Sequence, residues 1–480
     1  MRKTFVITTL VIVLALSTVL AALAGGIIQI SSDPYSNTSS QHQTQVEPDT
    51  YAWGNTVVSD FQTGRFTDGG SSNICWATSQ NSGATWINGC LPSLTIYSNP
   101  PGTYSRASDP VVAYDAEHNV WLLSALAMTG STGAAVTVSR STDGGLTWGA
   151  PVVVSSAGGG FYDKNWISCD NWSGSPYFGN CYVTWDDYGF GNRLYTSTST
   201  DGGLTWGPRR TTGNSAAGIG AQPLAQPNGR VIVPVSDAFG FQLRVYGSTN
   251  GGNSWTRTRN IATFNSHTVA GGLRAPTYLV SAEIDAAGKI YVVWADCRFR
   301  SGCSSNDIVM ITSTNGTTWT SPVRIPIDAT NSGVDHFIPG LAVDRNTSGS
   351  TARLGLTYYY YPNASCNSST CQLHVGFISS ADGGATWSAP QTLAGPMTLS
   401  WLANTTSGRM VGDYISTSFA GTSAVGVFAN AFAPSGGVFA EHSYAHQTTV
   451  AADQPYPLAV TDDPVLYYAP QPSAAPLYTP

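Results

Sequence analysis

The chain has 480 residues, of which only 10% are charged, with a net charge of −7 and with 51 glycines, 14 tryptophans and 23 tyrosines. It has no run of Lys or Arg, which excludes the electrostatic footprint of a nucleic-acid partner. Helical periodicity is missing beyond the N-terminus, and abundant Gly with many aromatics points to an all-β protein rich in turns.

In chain order, Arg2 and Lys3 precede an uncharged stretch from Thr4 to Ser32, with Ala22-Leu23-Ala24 as a small-residue cleavage signature. Residues 1–24 read as a signal peptide. The apolar run is also nearly long enough to cross a bilayer, so an uncleaved membrane anchor is the alternative. Either reading places the remainder outside the cytosol, secreted or tethered at the surface. Residues 25–46 are rich in Ser, Thr, Asn and Gln and read as a polar linker.

From residue 47 the chain is organised by a repeat. SQNSGATW at 79–86 is followed by STDGGLTW at 141–148 and again, unchanged, at 199–206. STNGGNSW at 248–255, STNGTTW at 313–319 and SADGGATW at 380–387 complete six copies. The Asp or Asn turns its side-chain oxygen onto nearby backbone N–H groups, the glycines supply positive φ, and the Trp returns onto a sheet face. Successive copies start 62, 58, 49, 65 and 67 residues apart, too long for a bare hairpin and suited to four short strands with loops.

A second mark lies upstream of most copies: Glu47-Pro48, Asp109-Pro110, Gln222-Pro223, Ala275-Pro276 and Ile338-Pro339. Proline at a strand's first position gives up only a donor that the ladder has not begun to use, so each dipeptide is expected to open a first strand. A further strand is expected in each unit, for example at 56–61, 120–125 and 181–185. A seventh unit without a box is expected from Gly408, with strand-like runs at 411–419, 424–432 and 438–444. The architecture expected over 47–445 is a β-propeller of four-stranded antiparallel blades. Seven blades are favoured, with six as the alternative if the chain ends share one blade. Residues 446–480 carry seven prolines from Pro455 to Pro480 and read as a disordered C-terminal tail.

Eight cysteines fall into four close couples: Cys75 and Cys90, Cys169 and Cys181, Cys297 and Cys303, Cys366 and Cys371. Nearest-neighbour disulfides are expected, because each couple lies inside one repeat unit and none has zinc-type spacing. Such bridges belong outside the cytosol. The histidines show no metal spacing, and neither a metal nor a cofactor is expected. Asp163-Lys164-Asn165-Trp166 and Trp185-Asp186-Asp187 are polar clusters at strand ends, candidates for channel or calcium residues or for loop pins.

The S-x-D-x-G-x-T-W turns resemble the Asp boxes, or BNR repeats, of sialidases and related propellers, over roughly Glu47 to Tyr444. The resemblance implies an exo-α-sialidase type of glycoside hydrolase, in which a Tyr nucleophile is served by a Glu base, an Asp acts as acid/base and arginines grip the substrate carboxylate. VVSDFQTGRFTDGG at 57–70 resembles the sialidase segment that nominates Arg65 and the acid/base Asp68. VSAEIDAAGKIYVVWADCR at 280–298 nominates Glu283 as base and Arg298 as a substrate contact, and GDYISTSFAGTSAVGVFANA at 412–431 nominates Tyr414 as nucleophile. Arg409 is a further anion-contact candidate near the expected third arginine position. The implied partner is a carbohydrate or glycoconjugate, with the protein acting as a monomer. The alternative implied by the same repeat is a non-catalytic propeller that binds glycan or protein at its central face.

Overall fold

The computed structural model describes residues 26–451, and every regular element longer than three residues there is a β-strand. The expected signal or anchor and most of the expected tail fall outside these residues. Among the described residues no helix is long and apolar enough to cross a membrane.

Four sheets of four antiparallel strands stand separately, and a 12-stranded path joins three more groups. The joints in that path are thin: a single parallel pair, Thr44↔Glu441, and a single antiparallel pair, Ser71↔Ala107. Between them lies a sheet formed by Gln41–Trp53, Thr56–Arg65, Ser71–Ser79 and Ile87–Cys90, and beyond the second joint lies another formed by Arg106–Asp115, Val120–Thr129, Thr132–Ser141 and Val152–Ser156. The remaining group consists of Ser416–Ala420, Ser423–Ser435 and Val438–Thr449. Its fourth strand comes from the other end of the chain: Ile28 and Gln29 pair with Ala445 and Tyr444. The segment expected as a linker is therefore built into the sheets. Some of its polar side chains are buried and bonded, as where Ser31 Oγ donates to Gln45 Oε1 at 3.1 Å, while Ser32, Ser36, Thr38 and Ser39 stay exposed.

The first strands of the seven groups begin at Gln41, Arg106, Tyr162, Leu224, Ser281, Asp335 and Ser416. Each packs against the first strand of the next group, and the last also packs against the strand at Gln41. Apolar side chains fill the space between neighbouring sheets, as where Val111, Leu122 and Val138 of one meet Tyr162, Ile167 and Trp185 of the next.

The boxes close the turns between third and fourth strands. In STDGGLTW at 141–148, Ser141 Oγ donates to Asp143 Oδ1 at 2.8 Å, and the Thr147 N–H donates to the same oxygen at 3.0 Å. The copies at Asp201 and Asp382 repeat this arrangement, and Asn81, Asn250 and Asn315 play the same part. The last or only glycine of each box leans on the preceding sheet. At Gly145, with φ +81°, an added Cβ would lie 2.7 Å from Val58. Gly83, in the first box, faces Val425 of the last group.

Gln222-Pro223 directly precedes the first strand at Leu224, as expected, but three of the five proline marks have a different role. Glu47-Pro48, Asp109-Pro110 and Ile338-Pro339 lie inside first strands, not at their starts. Glu47, Asp109 and Ile338 have φ of 53°, 48° and 49°, and the ladder register shifts across each of them. These are β-bulges, where a proline gives up a donor the broken ladder cannot use. Lys164, φ 45°, makes an equivalent bulge without proline.

All eight cysteines are paired as nearest neighbours. Cys75–Cys90 joins the third and fourth strands of the first sheet, and Cys169–Cys181 joins the first and second strands of the third. Four disulfides fit an extracytoplasmic, oxidising location.

Candidate functional site

The bulges aim charged side chains inward near the entry end of the first strands, the end where each strand begins. Lys164 Nζ lies 2.7 Å from Asp413 Oδ2, 3.3 Å from Asp109 Oδ2 and 3.7 Å from Glu47 Oε1. Arg274 reaches the same Asp413 carboxylate with two nitrogens, one of them at 2.6 Å. The Asp413 N–H donates to Glu47 Oε1 at 3.0 Å. The resulting hub ties together residues of five different chain segments.

Its electrostatics are uneven. Burial opposes the charge on Asp413, yet Arg274 and Lys164 together hold it well below the usual carboxylate range. Burial pushes Glu47 up to about 7 against the pull of Lys164, and does the same to Asp163. Burial would lower Lys164, but the carboxylates of Asp109, Asp413 and Glu47 raise it well above an ordinary lysine. Asp163 sits directly across the ladder from Asp186, whose other side is fixed by Asn192 Nδ2 at 2.8 Å. Asp163 Oδ2 and Asp186 Oδ1 are buried without a hydrogen-bond partner among the described residues. Burial also raises Asp186 well above the usual carboxylate range, with Asp163 adding to the shift.

Beyond the hub along the same strands lies a small central cavity lined by Asp49, Trp166, Gln222, Glu283, Arg345 and Tyr414 among others. Glu283 opens into it and is pushed up to about 8 by burial, against the opposing charge of Arg345. Tyr414 is buried, its ring edge-on to Trp166 at 5.4 Å and its hydroxyl donating to Pro110 O at 2.9 Å. Burial, and then the carboxylates of Glu47, Asp109, Asp60 and Asp49, raise the Tyr414 phenol well above 10. At the far mouth Arg345 is hydrogen-bonded to the Tyr51 hydroxyl and lies 4.9 Å from the Trp172 ring and 5.7 Å from that of Trp53.

Of the residues singled out from the sequence, Tyr414 and Glu283 line the same cavity. Asp68 lies elsewhere: its side chain is 51% exposed and paired with Arg106 at 2.7 Å, and that bond lowers its carboxyl. The arginines are also placed away from the cavity. Arg65 is buried against Gly70 O and Met410 Sδ. Arg298 makes a two-nitrogen contact with Asp296 at 2.7 and 2.8 Å. Arg409 donates to Leu402 O at 2.8 Å. The hub acids Glu47 and Asp109 were visible in the sequence only as partners of proline, and Asp163, Lys164 and Asp186 only as polar clusters. Arg274 and Asp413 carried no sequence signal.

The model of a BNR repeat-like domain matches residues 177–343. This match supports the sialidase-like character of the box repeats over that part of the chain. No curated protein matches the chain in sequence. Among solved structures, an ulvan lyase of a polysaccharide lyase family is 10% identical, with a TM-score of 0.50 over 89% of this chain and 96% of the lyase. A Dyadobacter fermentans protein of unknown function is 16% identical, with a TM-score of 0.46 over 74% of this chain and 99% of its own. The intramolecular trans-sialidase of Ruminococcus gnavus is 16% identical, with a TM-score of 0.42 over 90% and 100%. At 10% identity the likeness to the lyase concerns the fold alone.

Proposed function

We propose that this BNR-repeat protein is an extracytoplasmic, seven-bladed β-propeller that recognises a carbohydrate or glycoconjugate at the entry face of its ring, and that it does so without a tyrosine nucleophile. Seven blades are supported by the unbroken cycle of contacts between first strands and by the strand at Ile28–Gln29, which completes the last group. The lean of Gly83 on Val425 is the same box-to-preceding-sheet contact that Gly145 makes with Val58, and it supports closure between the chain's two ends. Carbohydrate is the ligand class carried over from the repeat family and from the polysaccharide named for the lyase of similar fold.

The observation that carries the non-catalytic reading is the state of Tyr414. A nucleophilic phenol is activated by a neighbouring base or by a lowered pKa. Here the hydroxyl donates to a backbone carbonyl, and burial, then the surrounding carboxylates, favour its neutral form. A panel of fluorogenic sialosides and other glycosides, assayed with the wild type and with Tyr414→Phe, tests this. No turnover by either protein is expected, whereas turnover abolished by the substitution refutes the reading.

A second reading is favoured by Glu283. A carboxyl raised to about 8 in the cavity that Tyr414 also lines favours its protonated form near neutral pH and suits a general acid, the reverse of the base role implied by the family resemblance. In that case the same panel gives turnover that falls as pH rises through about 8 and is lost in Glu283→Gln.

A further inference from the structure

Next to the hub, the entry end of two neighbouring sheets carries aromatic rings that the fold itself does not use. The loop joining the second and third strands of one sheet presents Tyr188, 36% exposed, and Phe190, 60% exposed; the corresponding loop of the next sheet presents Phe239, 68% exposed, and Phe241, 43% exposed. Burying large rings is among the strongest apolar gains a fold can make, so four on two adjacent loop tips stand out against singly scattered surface apolars.

The two loops are held by one continuous backbone path. Gly218 N–H donates to Asn192 O at 2.9 Å, directly after the first loop. One residue on, Ile219 bridges Ser236, directly before the second loop. Each tip is rigid. Phe161 packs edge-on against Tyr188 at 5.6 Å, Phe239 stacks on Phe241 at 6.4 Å, and Asp237 Oδ1 accepts the N–H groups of Phe239 and Phe241 at 3.2 and 2.9 Å. Polar groups with fixed partners lie on the same loops and adjoining strands. Arg244 is paired with Asp237 at 3.3 Å and with Asn260 Oδ1 at 3.1 Å, and Asn192 reaches Asp186 of the hub.

We infer that these rings form a shelf that binds the faces of successive sugar residues of a polysaccharide laid across the entry face toward the hub. The ligand is thus a polymer and not a single terminal sugar. A pyranose presents a face of polarised C–H bonds, which suits the electron-rich face of an aromatic ring, and a rim of hydroxyls, which suits fixed carboxylate, amide and guanidinium groups. Rigid loops place both kinds of group before binding, so little ordering entropy is lost. The shelf rests on the carbohydrate reading above and continues the face on which that reading places recognition.

Affinity electrophoresis of the intact folded protein through gels containing a soluble β-glucan, mannan, xylan or alginate tests the shelf. The comparison uses Phe190→Ala/Phe239→Ala and the control Leu204→Ala, whose exposed side chain lies in a box turn away from these loops. Retardation of the wild type and control by at least one polymer is expected, with affinity reduced tenfold or more in the double variant at an unchanged circular dichroism spectrum. Equal retardation of all three proteins overturns the shelf and leaves the carbohydrate reading standing. No retardation of the wild type by any polymer, together with no binding on an array of short glycans, overturns both. Binding to short glycans alone, unaffected by the double variant, overturns the shelf only.

Discussion

Replacing Lys164 by methionine keeps most of the side-chain volume and removes the cation around which the hub is built. With an effective dielectric constant of about 20, attractions at 2.7, 3.3 and 3.7 Å are each on the order of 5 kcal/mol, about 15 kcal/mol gross. The desolvation of a fully buried ammonium and of the three carboxylates, several kcal/mol per ion, offsets most of that sum. The relevant perturbation is the loss of one partner: Asp109, Asp413 and Glu47 remain buried beside one another, with Arg274 hydrogen-bonded to Asp413 and its charge also acting on Glu47. Leaving buried charge uncompensated typically costs about 3–5 kcal/mol, and that is the destabilisation expected at pH 7. Urea denaturation followed by tryptophan fluorescence, with the disulfides intact, measures it. A second variant, Lys164→Met/Asp109→Asn, removes one of the stranded charges and is expected to recover part of the loss. A Lys164→Met protein within about 1 kcal/mol of wild type, or a double variant that is worse than the single one, refutes the account of the hub as a mutually dependent charge cluster.

Two further outcomes follow from the same structure. Glu47, Asp49 and Glu283 are raised in the folded state to about 7, 7 and 8, so the native protein holds more protons than the unfolded chain over that span. Their stabilising contribution is therefore present in mild acid and lost as pH rises from about 4.5 through 8, whereas Asp413, held low, contributes above its unfolded value and is lost in stronger acid. Thermal melts should peak in mild acid, and Glu283→Gln should flatten the alkaline side of the curve; a wild type most stable above pH 8 contradicts this. Gly145→Ala places a Cβ 2.7 Å from Val58 at φ +81° and should cost about 1–3 kcal/mol in the same denaturation assay, whereas Gly158→Ala, which meets nothing within 4 Å, isolates the backbone strain alone.

The box turns were readable because their chemistry is local: Ser141, Asp143, Gly145 and Thr147 satisfy one another within seven residues. The disulfides were readable for the same reason, since each closes a loop inside one unit. The strand at Ile28–Gln29 was not, because its partners Tyr444 and Ala445 lie more than 400 residues away and its own sequence is short and only partly apolar. Proline gave half a message. It located the first strands, but a proline preceding a ladder and a proline inside a bulge leave the same dipeptide, and only the φ of the preceding residue separates the two.

That distinction decides where the chemistry of this molecule lies. A regular strand alternates its side chains between the two faces of its sheet, so consecutive acids would be sent into the packed layers between sheets. A bulge breaks the alternation at one residue, and here that residue is Glu47, Asp109 or Lys164, three of the charged groups that meet at the centre. Motif matching found Tyr414 and Glu283 because those side chains lie within or beside regular strand positions, whose direction a short pattern does fix. It nominated Asp68 for a site it does not line, because a glycine-rich loop carries no such fixed direction and the carboxylate turns outward to Arg106. The charges at the centre depend on backbone irregularities repeated from sheet to sheet, and none of those irregularities is visible until the strands on either side are in register.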